Sequence, residues 1–455
     1  MSQSEIVATF EITDPNLFFV YEAVDASNYD DGYLLRLYSV LENGQKFFID
    51  IIEYDIFFDI KLKDPFLLNS YLEEFRDYES YDVINKQPFD STEKFDFLRI
   101  YFSNHQKRRK ALQSLKNKIE NLNEELQKIC DSKKTKKKIN VAREHDFELV
   151  GWHRLKSGIL QDQITISFSD IERVESNVLP KLIIQAWDIE CGSKRGPGFF
   201  PVAEQPDDHI YMIQLDIFLY NQSQPFKRYN ITSLPINASL FFEKYGNEIS
   251  CSLNDFNFVL VNSEEEILLE FAKLNYLYQK DIEIGYNTGE TKVRVIDNDV
   301  DERMQKYQFA GLNINNQDIK VNPMEKQTCE YFYVQGSIFL DLLVWAKKTF
   351  QNELKHTLAH ILKKCKLSGK VDLSYISDDN SDNLKCMFVY VLAIKFQNDE
   401  LLLSEFATKL SKLCKIDYQK CFDMMSDSLV LEEYVINLAY YCSVDTLCLQ
   451  ELLIK

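Results

Sequence analysis

LIIQAWDIECGSKRGPGFFP, residues 182–201, is the stretch on which the reading of this chain turns. An apolar run from Leu182 to Trp187 meets two carboxylates, Asp188 and Glu190, with one residue between them. On an extended strand, residues i and i+2 point to the same face. The two acids therefore share one side of the strand. Carboxylates held together repel, and burying them is costly unless something neutralises them. Either the strand ends in solvent, or the pair holds a divalent cation. Hard oxygen ligands suit Mg²⁺ or Mn²⁺. D-x-E alone is a weak signal, so the surrounding text has to decide.

Downstream, a loop with Gly and Pro leads to a second apolar strand, HIYMIQLDIFLY (209–220), and FNFVLVN (256–262) reads as a third. SEEEILLEFAKLNYLYQK (263–280) opens with Ser263 and Glu266 at capping-box spacing. Ile267, Leu268, Phe271, Leu274 and Leu277 then line one helical face. EIGYN (283–287) reads as a short strand, and 288–330 as polar and irregular. SIFLDLLVWAKKTF (337–350) reads as a strand entering a helix, NELKHTLAHILKKC (352–365) as a second helix, and most of the remainder as helical. Strands alternating with capped helices predict an α/β domain over 181–455.

Upstream, ATFEI, YLLRLYSVL, KFFIDIIEY and FLRIYFS read as strands, with Glu42-Asn43-Gly44 as a hairpin turn. Leu112, Leu115, Ile119, Leu122, Leu126 and Ile129 predict a long amphipathic helix over 105–130, ending in the basic run SKKTKKK (132–138). FELVGWHRL and QITISFSDI return to strand-like text. Residues 1–180 are thus expected to form a β-rich, α+β domain. No internal repeat is visible.

The net charge is −19, from 52 basic and 71 acidic residues. That balance argues against a protein that coats nucleic acid, because neutralising phosphates takes Lys and Arg. It leaves room for an enzyme with an acidic metal site. No apolar window is long enough to cross a membrane, so no membrane partner is expected. The first residues do not read as a signal peptide. Ten cysteines lack C-x-x-C pairs, which points to thiols in a reducing, intracellular compartment. His356 and His360 are one helical turn apart, but without an H-E-x-x-H glutamate they read as structural.

WDIEC (187–191), GFFP (198–201) and HIYMIQL (209–215) together resemble the first exonuclease motif of family B DNA polymerases. SEEEILLEFAKL followed by DIEIGYNTG (281–289) resembles the family's second landmark, an acid-headed helix and a strand entering G-Y-N. The family places an aspartate a few residues on, and here the aligned text ETKVRVIDNDVDER puts Lys292 there. YYCSVDTLCLQELL (440–453) resembles the third motif, Y-x-x-x-D, with Tyr441 and Asp445 on one helical face. GSIFLDLLVWAKK and GKVDL (369–373) resemble connecting segments. The amino-terminal half looks more loosely like the versions in large cytoplasmic DNA viruses.

The resemblance implies a ribonuclease-H-like α/β exonuclease domain that removes nucleotides from a 3′ end, as in proofreading during DNA replication. It makes Asp188, Glu190 and Asp445 ligands of two Mg²⁺ or Mn²⁺ ions, with Glu190 also orienting a water and Tyr441 near the water or phosphate. Tyr286 and Asn287 would touch a single-stranded 3′ end of primer-template DNA. Other implied partners are the remainder of the polymerase and a processivity factor, and a viral chain would act in the host cytoplasm or nucleus. The family's palm motifs, D-x-x-S-L-Y-P and Y-G-D-T-D, do not occur, so palm, fingers and thumb are expected to lie outside this chain. Lys292 replaces one of four carboxylates, which predicts weakened excision. It also favours a second reading, an inactive exonuclease-fold module with a binding or structural role. A third reading, an unrelated ribonuclease-H-like nuclease, would share the strand acids but not G-Y-N followed by Y-C-x-x-D.

Overall fold

The computed structural model describes residues 10–27, 32–54, 56–61, 77–86, 93–119, 147–156, 163–193, 208–249, 255–287, 313–321, 326–367, 369 and 399–455. They divide into two compact units, Val7–Lys181 and a second running from Leu182 to Lys455.

The first unit holds strands β1 (Leu17–Asp25), β2 (Tyr33–Leu41), β3 (Lys46–Tyr54), β4 (Ile56–Lys61), β5 (Ser80–Lys86) and β6 (Phe95–Phe102). Helix α1 (His105–Ile119) and strands β7 (Gly151–Leu155), β8 (Gln163–Ile166) and β9 (Ile171–Arg173) follow. One sheet has the order β8-β3-β2-β1-β7-β9, and a smaller one the order β4-β6-β5. The alternation in β2 is direct, with Tyr33, Leu35 and Leu37 buried and Leu34 and Arg36 half-exposed. β2 and β3 meet at the expected turn, where Gly44 takes φ +87° and Asn43 Oδ1 accepts from the Gln45 amide.

Of ATFEI (8–12), the described residues 10–12 are irregular, and LFFVYEAVD supplies the first described strand, β1. Thr13 donates its amide and hydroxyl to the Glu42 carboxylate, and Asp14 turns the chain by accepting from Asn16 N, so extended pairing starts only at Leu17. α1 packs Ala111 and Leu112 on the Phe58, Leu98 and Ile100 face of the small sheet. The rest of the predicted 105–130 helix and the run 132–138 lie outside the described residues.

The second unit is an α/β fold. Its strands are β10 (Ile183–Ser193), β11 (Asp208–Leu219), β12 (Lys227–Thr232), β13 (Phe256–Leu260), β14 (Ile282–Gly285), β15 (Asn313–Lys320), β16 (Lys326–Tyr333) and β17 (Ile338–Asp341). Its helices are α2 (Ala238–Tyr245), α3 (Glu264–Tyr278), α4 (Leu342–Thr349), α5 (Leu358–Cys365), α6 (Glu400–Cys414), α7 (Tyr418–Ser426) and α8 (Ser428–Ile454). The main sheet runs β13-β12-β11-β10-β14-β17. β10, β11 and β12 form an antiparallel meander, while β14 and β17 join parallel to β10. That order and those directions are ribonuclease-H-like.

Ser263 caps α3 by accepting from Glu266 N, while Glu266 reaches back to Asn262 rather than to the cap residue itself. α5 starts at Leu358, later than residue 352, because Thr357 is its cap. The 288–330 text conceals a hairpin, β15 against β16, which its Asn-rich first strand disguised. Among the described residues no helix is long and apolar enough to cross a membrane.

Candidate metal centre

β10 has two faces with different neighbours. Trp187 packs on Phe271 of α3, with ring centres 5.3 Å apart. Ile184 and Ala186 instead share a core with Cys448, Leu449 and Leu452 of α8. Period-two alternation carries that second face onward to Asp188 and Glu190. On α8, positions 442, 445, 449 and 452 follow three- and four-residue steps and form one stripe. Both surfaces thus change from aliphatic to polar along their length.

At that level Asp188, Glu190 and Cys442 come together, with one ligand atom from each within 4.8 Å of the others. Cys442 is fully buried, Glu190 is 8% exposed and Asp188 is half-buried. Cys442 Sγ lies 4.0 Å from the Asp188 carbonyl oxygen, and Asp188 Oδ1 accepts from the Ile189 amide at 3.0 Å. The strand does not stop at the acids. It bulges after Glu190 and runs to Ser193, with Gly192 close enough to the Tyr211 ring that a Cβ would sit 2.8 Å from it. Two carboxylates beside a thiol fit a divalent cation by charge and by donor type.

Asp445 is buried, at 3% exposure, one turn beyond Cys442, and stands outside the trio that closes within 4.8 Å. Tyr441 is half-buried on the same helix. Its neighbour Tyr440 serves structure. It stacks on Tyr245 at 3.9 Å and donates to Glu248, and burial together with that carboxylate keeps its phenol protonated far above the ordinary range.

Tyr286 and Asn287 follow β14. Tyr286 donates its hydroxyl to the His356 carbonyl. Asn287 takes φ +55°, which asparagine tolerates, and its amide donates to Asp341 Oδ1, which also caps α4. His356 Nε2 contacts the Phe350 carbonyl and His360 Nε2 contacts Glu353, so the two rings are engaged apart. Lys292, GFFP (198–201) and most of GKVDL lie outside the described residues.

Sequence reasoning missed two buried polar clusters flanking the acids. Lys280 pairs with Glu283, both 1% exposed, while Trp187 Nε1 donates to Glu283 at 2.7 Å. On the α8 side, Asp216 pairs with Arg228 and Gln214 with Asn230 across the β11–β12 ladder. Polar residues at i, i+2 on both strands were the readable signal.

Residues 138–361 match the model of the DNA polymerase family B exonuclease domain. That segment, just under half of the chain, is similar to a family B DNA polymerase exonuclease domain. The "DNA polymerase beta" of African swine fever virus (isolate Tick/Malawi/Lil 20-1/1983) is 23% identical over 468 aligned positions, covering 93% of this chain and 36% of that protein. The "DNA polymerase" of Paramecium bursaria Chlorella virus NY2A is 22% identical over 262, covering 54% of this chain and 26% of that protein. The chain therefore spans about a third of the length of the curated relatives it matches. The family B DNA polymerase of the hyperthermophilic archaeon Pyrobaculum calidifontis matches the fold with TM-score 0.50 at 14% identity, over 92% of this chain and 48% of that one. The chain thus has viral DNA polymerases among its relatives and a fold like that of a family B DNA polymerase.

Proposed function

We propose that this chain is the amino-terminal and 3′→5′ exonuclease portion of a viral-type family B DNA polymerase acting in DNA replication. In this reading it binds the single-stranded 3′ end of primer-template DNA at a divalent-metal centre built from Asp188, Glu190 and Asp445. The observation that carries the reading is the meeting of a β10 acid pair with the α8 stripe, from sequence positions some 250 residues apart, inside a ribonuclease-H-like sheet. Mg²⁺ or Mn²⁺ bound there would supply charge neutralisation for the scissile phosphate. Asp188 and Glu190 offer carboxylate oxygens from the strand, and Asp445 would offer its own from the helix. Glu190 would orient the attacking water, and Tyr441 would hydrogen-bond that water or the phosphate. Tyr286 and Asn287 follow β14 and would meet the terminal base, where an aromatic ring can stack.

Lys292 sets the expected rate. An ammonium where the family has a carboxylate neutralises acids without ligating a metal, so excision is slow. Six cysteines among the described residues are thiols and not disulfides, which suits a reducing, intracellular setting. The remaining polymerase domains and a processivity factor would be partners of the longer protein.

The test is digestion of a 5′-labelled single-stranded primer with Mn²⁺. Slow shortening from the 3′ end, lost in Asp188→Ala and raised in Lys292→Asp, is expected. Lys292 also favours an inert module. That reading gains if the protein holds the primer but neither the parent nor Lys292→Asp shortens it.

A further inference from the structure

A buried cluster that the proposed chemistry does not use ties α8 to the sheet. Asp216 on β11 and Arg228 on β12 are both 0% exposed. Arg228 donates Nε to Asp216 Oδ1 at 3.0 Å and Nη2 to Oδ2 at 2.7 Å, a fork-to-fork pair. The same Nη2 donates to the Ser443 carbonyl at 2.6 Å. The Thr446 hydroxyl donates to Asp216 Oδ2 at 2.6 Å. Gln214 donates to Asp216 Oδ1 at 2.6 Å and accepts from Asn230 at 2.9 Å and from the Ser443 hydroxyl at 3.2 Å.

On the helix these bonds land on residues 443 and 446, the neighbours of Cys442 and Asp445. On the sheet, Gln214 is the direct cross-strand partner of Asp188. The cluster therefore shares α8 with the candidate metal centre, one residue along the helix, and on the sheet it sits on β11 and β12, β11 being the strand paired with β10. An aliphatic helix–sheet contact tolerates sliding. Directional bonds to a buried charge do not, because one residue of slip turns the helix by about 100° and strips the pair of its partners. Buried ion pairs are poor sources of net stability, and fixing registry is their best-attested use.

We propose that the Asp216–Arg228 pair, acting through Ser443 and Thr446, sets the register of α8 so that Cys442 and Asp445 stand opposite Asp188 and Glu190. These are positioning residues, and the inference rests on reading that centre as a metal site. Second-layer partners of metal ligands commonly change affinity by about ten- to a hundredfold when removed.

The experiment compares the full chain with Thr446→Val, Thr446→Ser and the double variant Asp216→Leu/Arg228→Met. Three quantities are read: Mn²⁺ affinity by electron paramagnetic resonance titration, the urea midpoint, and the alkylation rate of Cys442 mapped by mass spectrometry. Buried Cys421 on α7 is the internal control. The double variant is expected to hold its midpoint while Mn²⁺ binding weakens about tenfold or more and Cys442 alkylates faster with Cys421 unchanged. Thr446→Val should move the same readouts in the same direction, and Thr446→Ser should restore them. Stable variants with parental Mn²⁺ affinity and a protected Cys442 overturn the proposal. Parental Mn²⁺ binding that is absent, or unchanged in Asp188→Asn, would overturn the metal reading instead. Cys442 protection then decides the register alone, and protection retained in the double variant refutes it. If the double variant does not fold, the two Thr446 variants decide by the same readouts.

Discussion

Acidification should weaken the amino-terminal unit through one side chain, His153. Its ring is fully buried on β7, stacked on Phe147 with ring centres 4.5 Å apart and on Phe18 at 5.9 Å. Nδ1 lies 3.0 Å from the Gly151 carbonyl, which assigns the single proton of the neutral ring to Nδ1. Nε2 is buried with no hydrogen-bond partner among the described residues. A second proton would place charge there without an acceptor. Burial lowers the pKa from 6.5 to about 4, with the Gly151 carbonyl opposing and Arg173 adding repulsion. The unfolded chain takes up this proton near the ordinary value and the folded chain only near the lowered one. Stability is therefore fully present above about pH 6.5, falls as pH drops through the window, and has lost the whole contribution below about pH 4. A gap of about 2.5 units corresponds to ~3 kcal/mol, of which about 2 kcal/mol is gone by roughly pH 5. Against a typical domain stability of about 5–15 kcal/mol that is a large share. The assay is urea unfolding at about pH 7 and pH 5, pulse-labelled by hydrogen exchange at one common pH, with amino-terminal peptides read by mass spectrometry. His153→Phe keeps an aromatic ring and removes the titration, so carboxylates common to both proteins cancel in the comparison. The parent should lose about 2 kcal/mol more than the variant. Equal losses would refute the reasoning.

Arg228→Met strands the Asp216 charge in the core and should cost about 3–5 kcal/mol, while adding Asp216→Leu should return stability close to the parent in urea denaturation. Trp187→Phe removes the indole donor to Glu283 and leaves a buried acceptor short of a partner, a loss of about 1–3 kcal/mol measurable by the same method. Cys442→Ser should remove the thiolate-to-metal absorption that Cd²⁺ produces in the parent while leaving Mn²⁺ affinity within a few-fold, because sulfur is the soft ligand of the set. A band that persists in the variant would place Cd²⁺ on other cysteines.

Much of the second unit was legible because its elements follow local rules. The acid pair one residue apart predicted a shared face, and the Ser263 cap and its apolar stripe gave α3 almost to the residue. β15 hid because N-I-N-N-Q-D-I-K is paired through backbone bonds more than through strand-favouring side chains. β1 was hard to place because LFFVYEAVD is a near-continuous apolar run without alternation, and the tie from Thr13 to Glu42 that precedes it spans 29 residues and leaves no local signal. In the candidate metal centre, the strand acids were nameable from their motif, and so was Asp445, which stands outside the trio that closes within 4.8 Å. Cys442 was not, since a cysteine beside a tyrosine reads as packing until the helix is docked. The polar i, i+2 positions of β11 and β12 were visible, but that Asp216 pairs with Arg228 follows only once the two strands are placed in register.

The central claim is that acids from β10 and from α8 form one cation site. Mn²⁺ titration of the full chain, followed by electron paramagnetic resonance, tests it most directly when the parent is compared with Asp188→Ala and Asp445→Ala. Saturable binding in the parent, lost in either variant while both remain folded, is the predicted result. Parental affinity retained in both variants would contradict it.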